Sequence, residues 1–237
     1  MFASVFSAAI SGMEVHLIKV EADVSDGLPS FTMVGLPSTQ VKEAQDRVRT
    51  ALKNNGIVLP PKRITVNLAP ADIRKEGAGF DLPLAAAVLA AAGVLSAEQL
   101  GNVMMAGEIG LNGEIHAVSG ILPMIIRARE EKCRFCVVPY DNLKEAHLIP
   151  DMKVIGVADL QEMIRYVSAP DSYKKAVETG KKSPQENSVD FCEIHGQESL
   201  KRAVEIAVSG FHNLLMIGPP GAGKTMIARR IPGIMPE

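Results

Sequence analysis

Residues 15–24 alternate in polarity. Val15, Leu17 and Ile18 surround His16, and Val20, Ala22 and Val24 alternate with Glu21 and Asp23, the period-two pattern of a half-buried strand. Asp26-Gly27 is a turn signal, and Phe31-Thr32-Met33-Val34 reads as a further strand. The period then changes. Val41, Ala44, Val48, Ala51 and Leu52 recur at helical spacing, which predicts a helix over 38–54 with Gly56 just past its end. Its other face carries Lys42, Glu43, Asp46, Arg47, Arg49 and Lys53, read as a solvated face, with a partner or nucleic-acid surface as the alternative. A strand follows at 63–69 and a glycine-bearing loop at 72–80. Asp81 is placed as the N-cap of the next helix, with Pro83 in its first turn. That helix is apolar on every face, so it belongs at the centre of a core. Residues 103–109 and 113–115 flank a Leu111-Asn112-Gly113 turn and read as a hairpin. A helix over 119–131, strands at 135–139 and 153–157, and a helix over 159–167 complete an α+β domain spanning 1–169.

From 170 to 187 the chain turns polar and reads as a linker. Residues 188–237 then open a second domain, the start of an α/β P-loop domain. An apolar run at 213–217 predicts a buried parallel strand, and 226–231 predicts a helix that Pro232-Gly233 breaks. Between them lies Gly218-Pro219-Pro220-Gly221-Ala222-Gly223-Lys224-Thr225, which fits G-x-x-x-x-G-K-[ST]. Glycines let the backbone curl so that successive N–H groups face an anion, and the following helix adds its positive end. Lys224 is expected to reach the β- and γ-phosphates of ATP, and the Thr225 hydroxyl to ligate Mg²⁺. Turnover further needs an acidic strand end to hold Mg²⁺ and a group to orient water. The twelve residues after Thr225 supply neither. The stretch 154–159, ending in Asp159, falls in the first domain and is set aside. The expectation is a chain that binds nucleotide with negligible turnover, from a parent that is an ATPase.

Composition adds exclusions. Of 237 residues, 47% are hydrophobic and 22% charged, and the net charge of −2 gives no global basic signature, though a local basic channel is compatible with it. The longest uncharged apolar stretch, 82–97, is short and alanine-rich for a membrane span, and no basic-apolar-cleavage signal opens the chain, so a cytoplasmic protein is expected. Cys133 and Cys136 form a lone C-x-x-C without a second pair, read with Cys192 as inert thiols, and the five histidines are scattered.

The order of elements over 64–167 resembles the proteolytic domain of Lon proteases, with Lys75-Glu76-Gly77 before the buried helix and Gly107-Glu108-Ile109-Gly110-Leu111-Asn112-Gly113-Glu114-Ile115 after it. Laid on that family, the nucleophilic serine falls on Gly79 and the lysine on Leu122. A Ser–Lys pair needs an oxygen nucleophile and a neutralisable amine within hydrogen-bond reach. Residues 66–95 hold no Ser, Thr or Cys, and 77–131 hold no Lys, so peptidase activity is excluded. Over nearly its whole length the chain resembles the Mg-chelatase-like AAA+ ATPases of the competence type, the ComM/YifB family. The resemblance rests on Asp26-Gly27-Leu28-Pro29-Ser30-Phe31, Val34-Gly35-Leu36-Pro37, Glu76-Gly77-Ala78-Gly79-Phe80-Asp81-Leu82-Pro83, Gly196-Gln197-Glu198-Ser199-Leu200-Lys201-Arg202-Ala203 and the approach to the P-loop from Gly210. It implies an inactive Lon-like domain ahead of an AAA+ module, and a homo-hexameric ring driving DNA branch migration, as a helicase, in recombination and natural transformation. It also implies that Ile194, His195 and Gly196 lie near adenine; an ordinary strand-to-helix turn is the other reading.

Three functions compete: a DNA-remodelling motor, the ATPase subunit of a magnesium chelatase, and, for these residues alone, a non-catalytic binding and oligomerisation module.

Overall fold

A computed structural model of the chain describes residues 1–173 and 191–235. It divides into two compact units, 1–179 and 180–237. Most of the expected linker, 174–187, lies outside the described residues.

The first unit is built on two long strands, β1 (Phe2–Ser11) and β2 (Glu14–Ser25), paired antiparallel around the Gly12 turn, where φ is +61°. Next come β3 (Ser30–Val34), α1 (Thr39–Asn54), β4 (Arg63–Ala69), α2 (Asp81–Ala91), α3 (Ala97–Leu100) and β5 (Val103–Met105). A small hairpin follows, β6 (Glu108–Ile109) with β7 (Ile115–His116), then α4 (Ile121–Glu130), β8 (Phe135–Pro139), α5 (Leu143–Ala146), β9 (Val154–Val157) and α6 (Leu160–Ser168). Seven strands form one mixed sheet in the order β3-β4-β2-β1-β5-β8-β9. The β1-β2-β4 pairings are antiparallel and the other four are parallel.

Every residue of α2 is buried, as its uninterrupted apolarity requires. It packs with the inward face of α1 (Val41, Ala44, Val48, Ala51, Leu52) and with Ala3, Val5, Val20, Ala22 and Val66 of the sheet. A second apolar cluster joins α4 to β5 and β8 through Met104, Ile121, Ile125 and Cys136. Ser38 caps α1 by accepting from the Val41 N–H.

The structure corrects three local expectations. Val103–Met105 is not the first arm of a hairpin; as β5 it runs parallel between β1 and β8, and the hairpin is the short β6-β7 pair. Asp81 does not cap α2, because a 3₁₀ turn at Ala78–Phe80 leads straight into the helix. Its carboxylate, with no exposed surface, instead accepts two hydrogen bonds from Arg47, at 2.8 Å from Nε and 2.9 Å from Nη2, and one from the Ile109 N–H at 3.2 Å. Arg47 therefore leaves the solvated set of α1 charges. Lys75, quoted above only within a motif, is wholly buried and donates to the carbonyls of Gly35, at 2.9 Å, and of Pro70. Burial holds its ammonium below the usual lysine range, with Asp72 opposing.

Among the described residues no helix is long and apolar enough to cross a membrane, and no group of three His, Cys, Asp or Glu side chains could hold a metal. Cys133 and Cys136 are both buried; burial lifts the Cys133 thiol to about 11 and pushes Cys136 higher still.

Candidate functional site

The second unit has a small core of Phe191, Ile194, Val204 and Ile227, with Leu200, Val208, Met216 and Ile231 against it. Helix α7 (Glu198–Ser209) presents Val204 and Ala207 inward. After it the chain runs through Gly218 to a short helix, α8 (Lys224–Ala228). Residues 213–217 do not form the expected strand. They pair with no strand among the described residues; Leu215 and Ile217 are more than 80% exposed, while Met216 packs against the small core. The expected helix over 226–231 ends at Ala228, and Pro232 and Gly233 lie inside a 3₁₀ turn, Ile231–Ile234, rather than beyond a helix end.

The loop itself has the curl that its glycines permit. Gly221 and Gly223 adopt φ of +82° and +79°, a region that costs an L-residue roughly 1–2 kcal/mol. No atom lies within 4 Å of a Cβ placed on Gly221; one on Gly223 would sit 3.4 Å from Gln197 Nε2. Lys224, the first residue of α8, folds its Nζ back onto the carbonyls of Gly218 at 2.7 Å and Pro219 at 2.8 Å. An ammonium has three donors, so one remains for an incoming anion. Thr225 is exposed.

Of the three residues expected near adenine, Ile194 is a core residue at 1% exposure, while His195 and Gly196 are exposed. The next residue, quoted above only within a motif, has a contact of its own. Gln197, at φ +56°, opens α7 and donates from Nε2 to the Ala222 carbonyl at 3.2 Å. It ties the turn at 194–197 to the P-loop, and no spacing rule marks a glutamine for that role. Arg230 and Glu193 form an ion pair at 2.5 Å across the same unit.

In the first unit, a cleft of about 300 Å³ is lined by Glu76, Gly79, Glu108, Val118, Ser119 and Met124 among others. Gly79 faces open space: a Cβ there would meet nothing closer than Val118 at 3.9 Å. The fold thus has room for a side chain at the Lon serine position, and the residue lacks one. Leu122 lies in the first turn of α4 and carries no titratable group. Lys75 cannot substitute for an amine in the cleft, since its ammonium is held by Gly35 and Pro70.

Two comparisons agree with this architecture. Residues 20–142 match the family described as "Subunit ChlI of Mg-chelatase", and residues 190–237 match "Magnesium chelatase, subunit ChlI". The chain is 43% identical to the competence protein ComM of Haemophilus influenzae, over 99% of this chain and 47% of that protein. It is 42% identical to YifB of Escherichia coli K12, over 98% of this chain and 46% of that one. It thus spans about half the length of these curated relatives. Lon protease 2 of Bacillus subtilis is 27% identical over 53% of this chain and 22% of its own length. The first unit is a Lon-like α+β domain, and the chain belongs to the ChlI-type, magnesium-chelatase-like family that includes ComM and YifB.

Proposed function

We propose that the second unit binds ATP with Mg²⁺ and that the parent protein is a cytoplasmic AAA+ ATPase. The observation that carries this reading is the loop from Gly218 to Thr225, with its two left-handed glycines and a lysine already aimed at the loop's interior. The donor set fits a polyphosphate. Curled amides and an ammonium are complementary to anionic oxygens, and the bare glycines leave the backbone open to close approach. Gly218, Pro219, Pro220, Gly221, Ala222 and Gly223 would line the phosphates, Lys224 would neutralise them, and Thr225 would hold the metal. His195 and Gly196, on the Ile194 floor, would border the base. When bound, Mg²⁺ draws charge from the phosphate oxygens. The chain's own residues bind and orient the nucleotide.

The parent is further inferred to be a homo-hexameric motor that moves branched DNA during recombination and natural transformation. The match to a competence protein along 99% of the chain supports it. A magnesium-chelatase ATPase subunit is the second reading, favoured by the descriptions of both matched families. For these residues alone, a non-catalytic binding and oligomerisation module is the corresponding reading.

Equilibrium titration of this chain with a fluorescent ATP analogue and Mg²⁺ tests the site: saturable binding is expected, with Lys224→Ala losing it. Full-length protein separates the motor from the chelatase. ATPase stimulated by branched or single-stranded DNA supports the motor; protoporphyrin-dependent turnover without DNA stimulation supports the chelatase.

A further inference from the structure

The two borders of the seven-stranded sheet are finished differently. At one end, β9 is covered: the Tyr173 hydroxyl accepts from the Gly156 N–H at 3.1 Å, and Tyr173 packs edge-on against Tyr166 of α6, with ring centroids 4.9 Å apart. At the other end, β3 pairs with β4 on one side, and among the described residues no strand pairs with its other side. Ser30, Thr32 and Val34 are exposed, while Phe31 and Met33 pack partly against the core. Open edges are ordinarily blunted by charge, because their free N–H and C=O groups recruit another strand. This one has no such guard. Between Asp26 and Lys42 the chain carries no charged residue, and Val34 and Leu36 are 45% and 55% exposed. Pro29 and Pro37 bracket the strand and limit how far pairing can spread.

We propose that β3 is a self-association edge, and that its occupant is the β3 strand of a second copy of this chain, antiparallel about a two-fold axis at Thr32. The strand is complementary to itself. In that register Thr32 faces its own symmetry mate, Phe31 faces Met33 and Ser30 faces Val34, so one hydroxyl pair and the apolar Phe31–Met33 pairs are flanked by mixed ones, with no like charges opposed. An uncharged edge offers nothing for the phosphate backbone of a nucleic acid to grip. A two-fold pairing uses the same patch on both copies and closes at two. The proposal stands apart from the P-loop reading, because it rests only on the first unit.

The test is charge placed at Thr32, which is exposed and therefore tolerant of substitution. Light scattering of the 237-residue chain is expected to give twice the 25.3 kDa monomer mass at high concentration. Thr32→Lys and Thr32→Glu, each with an unchanged far-ultraviolet spectrum, should weaken association several-fold, and an equimolar mixture of the two should restore it as a heterodimer. A monomeric wild-type chain overturns the proposal and leaves the edge to a strand from another protein. Variants that dimerise like wild type overturn it, and so does a mixture that fails to recover the dimer.

Discussion

At the scale of single residues, the Arg47–Asp81 pair matters most to the first unit. It joins α1 to the start of α2, and through Ile109 it holds the β6-β7 hairpin. Burial raises the Asp81 carboxyl above the ordinary aspartate range, and the Arg47 hydrogen bonds only partly offset it; the same contact raises Arg47. Arg47→Ala would strand a carboxylate with no exposed surface, and should cost about 3–5 kcal/mol in urea unfolding, whereas the double change Arg47→Met with Asp81→Leu should recover most of it. The sign with pH follows. A carboxyl whose folded value is raised binds more protons in the native state, so its contribution is complete below about pH 3.9 and is lost as pH rises through the folded value. The stability of wild type relative to Asp81→Asn should therefore fall as pH is raised from about 4, measured by denaturant midpoints across that range.

At the scale of elements, periodicity located what burial enforces. The alternation in β2 and the helical stripe of α1 carry their core faces in the letters, and the all-apolar run after Asp81 is legible as a buried helix. The failures have physical causes. Three apolar residues at 103–105 suit either a hairpin arm or a central parallel strand, and only the non-local pairing with β1 and β8 decides. Asp81 has the chemistry of a cap, but a partner 34 residues away outcompeted that local role. The P-loop was legible because its glycines serve backbone geometry, which a motif records; Gln197 was not, because its contact to Ala222 arises from folding. Gly223→Ala tests this. A methyl group at φ +79° is strained whatever the space around it, so nucleotide affinity should fall several-fold or more in the same fluorescence titration, with the first unit's unfolding unchanged.

At the scale of the whole molecule, the Lon-like first unit has a cleft with a glycine at the position where the Lon resemblance puts a serine. The space above Gly79 would accept a hydroxymethyl group, yet among the described residues no amine lines it: Leu122 is apolar and Lys75 is engaged elsewhere. Gly79→Ser should fold normally and still leave casein and fluorogenic peptides intact, since a serine without a base stays a weak nucleophile. The helix at the centre of this body has a consequence of its own. With no wetted side, α2 cannot be loosened locally by water, and its amides can trade protons only when the entire first unit comes apart. Those few amides are a built-in gauge: they report how firmly the scaffold holds, which the exposed glycine loop of the second unit does not.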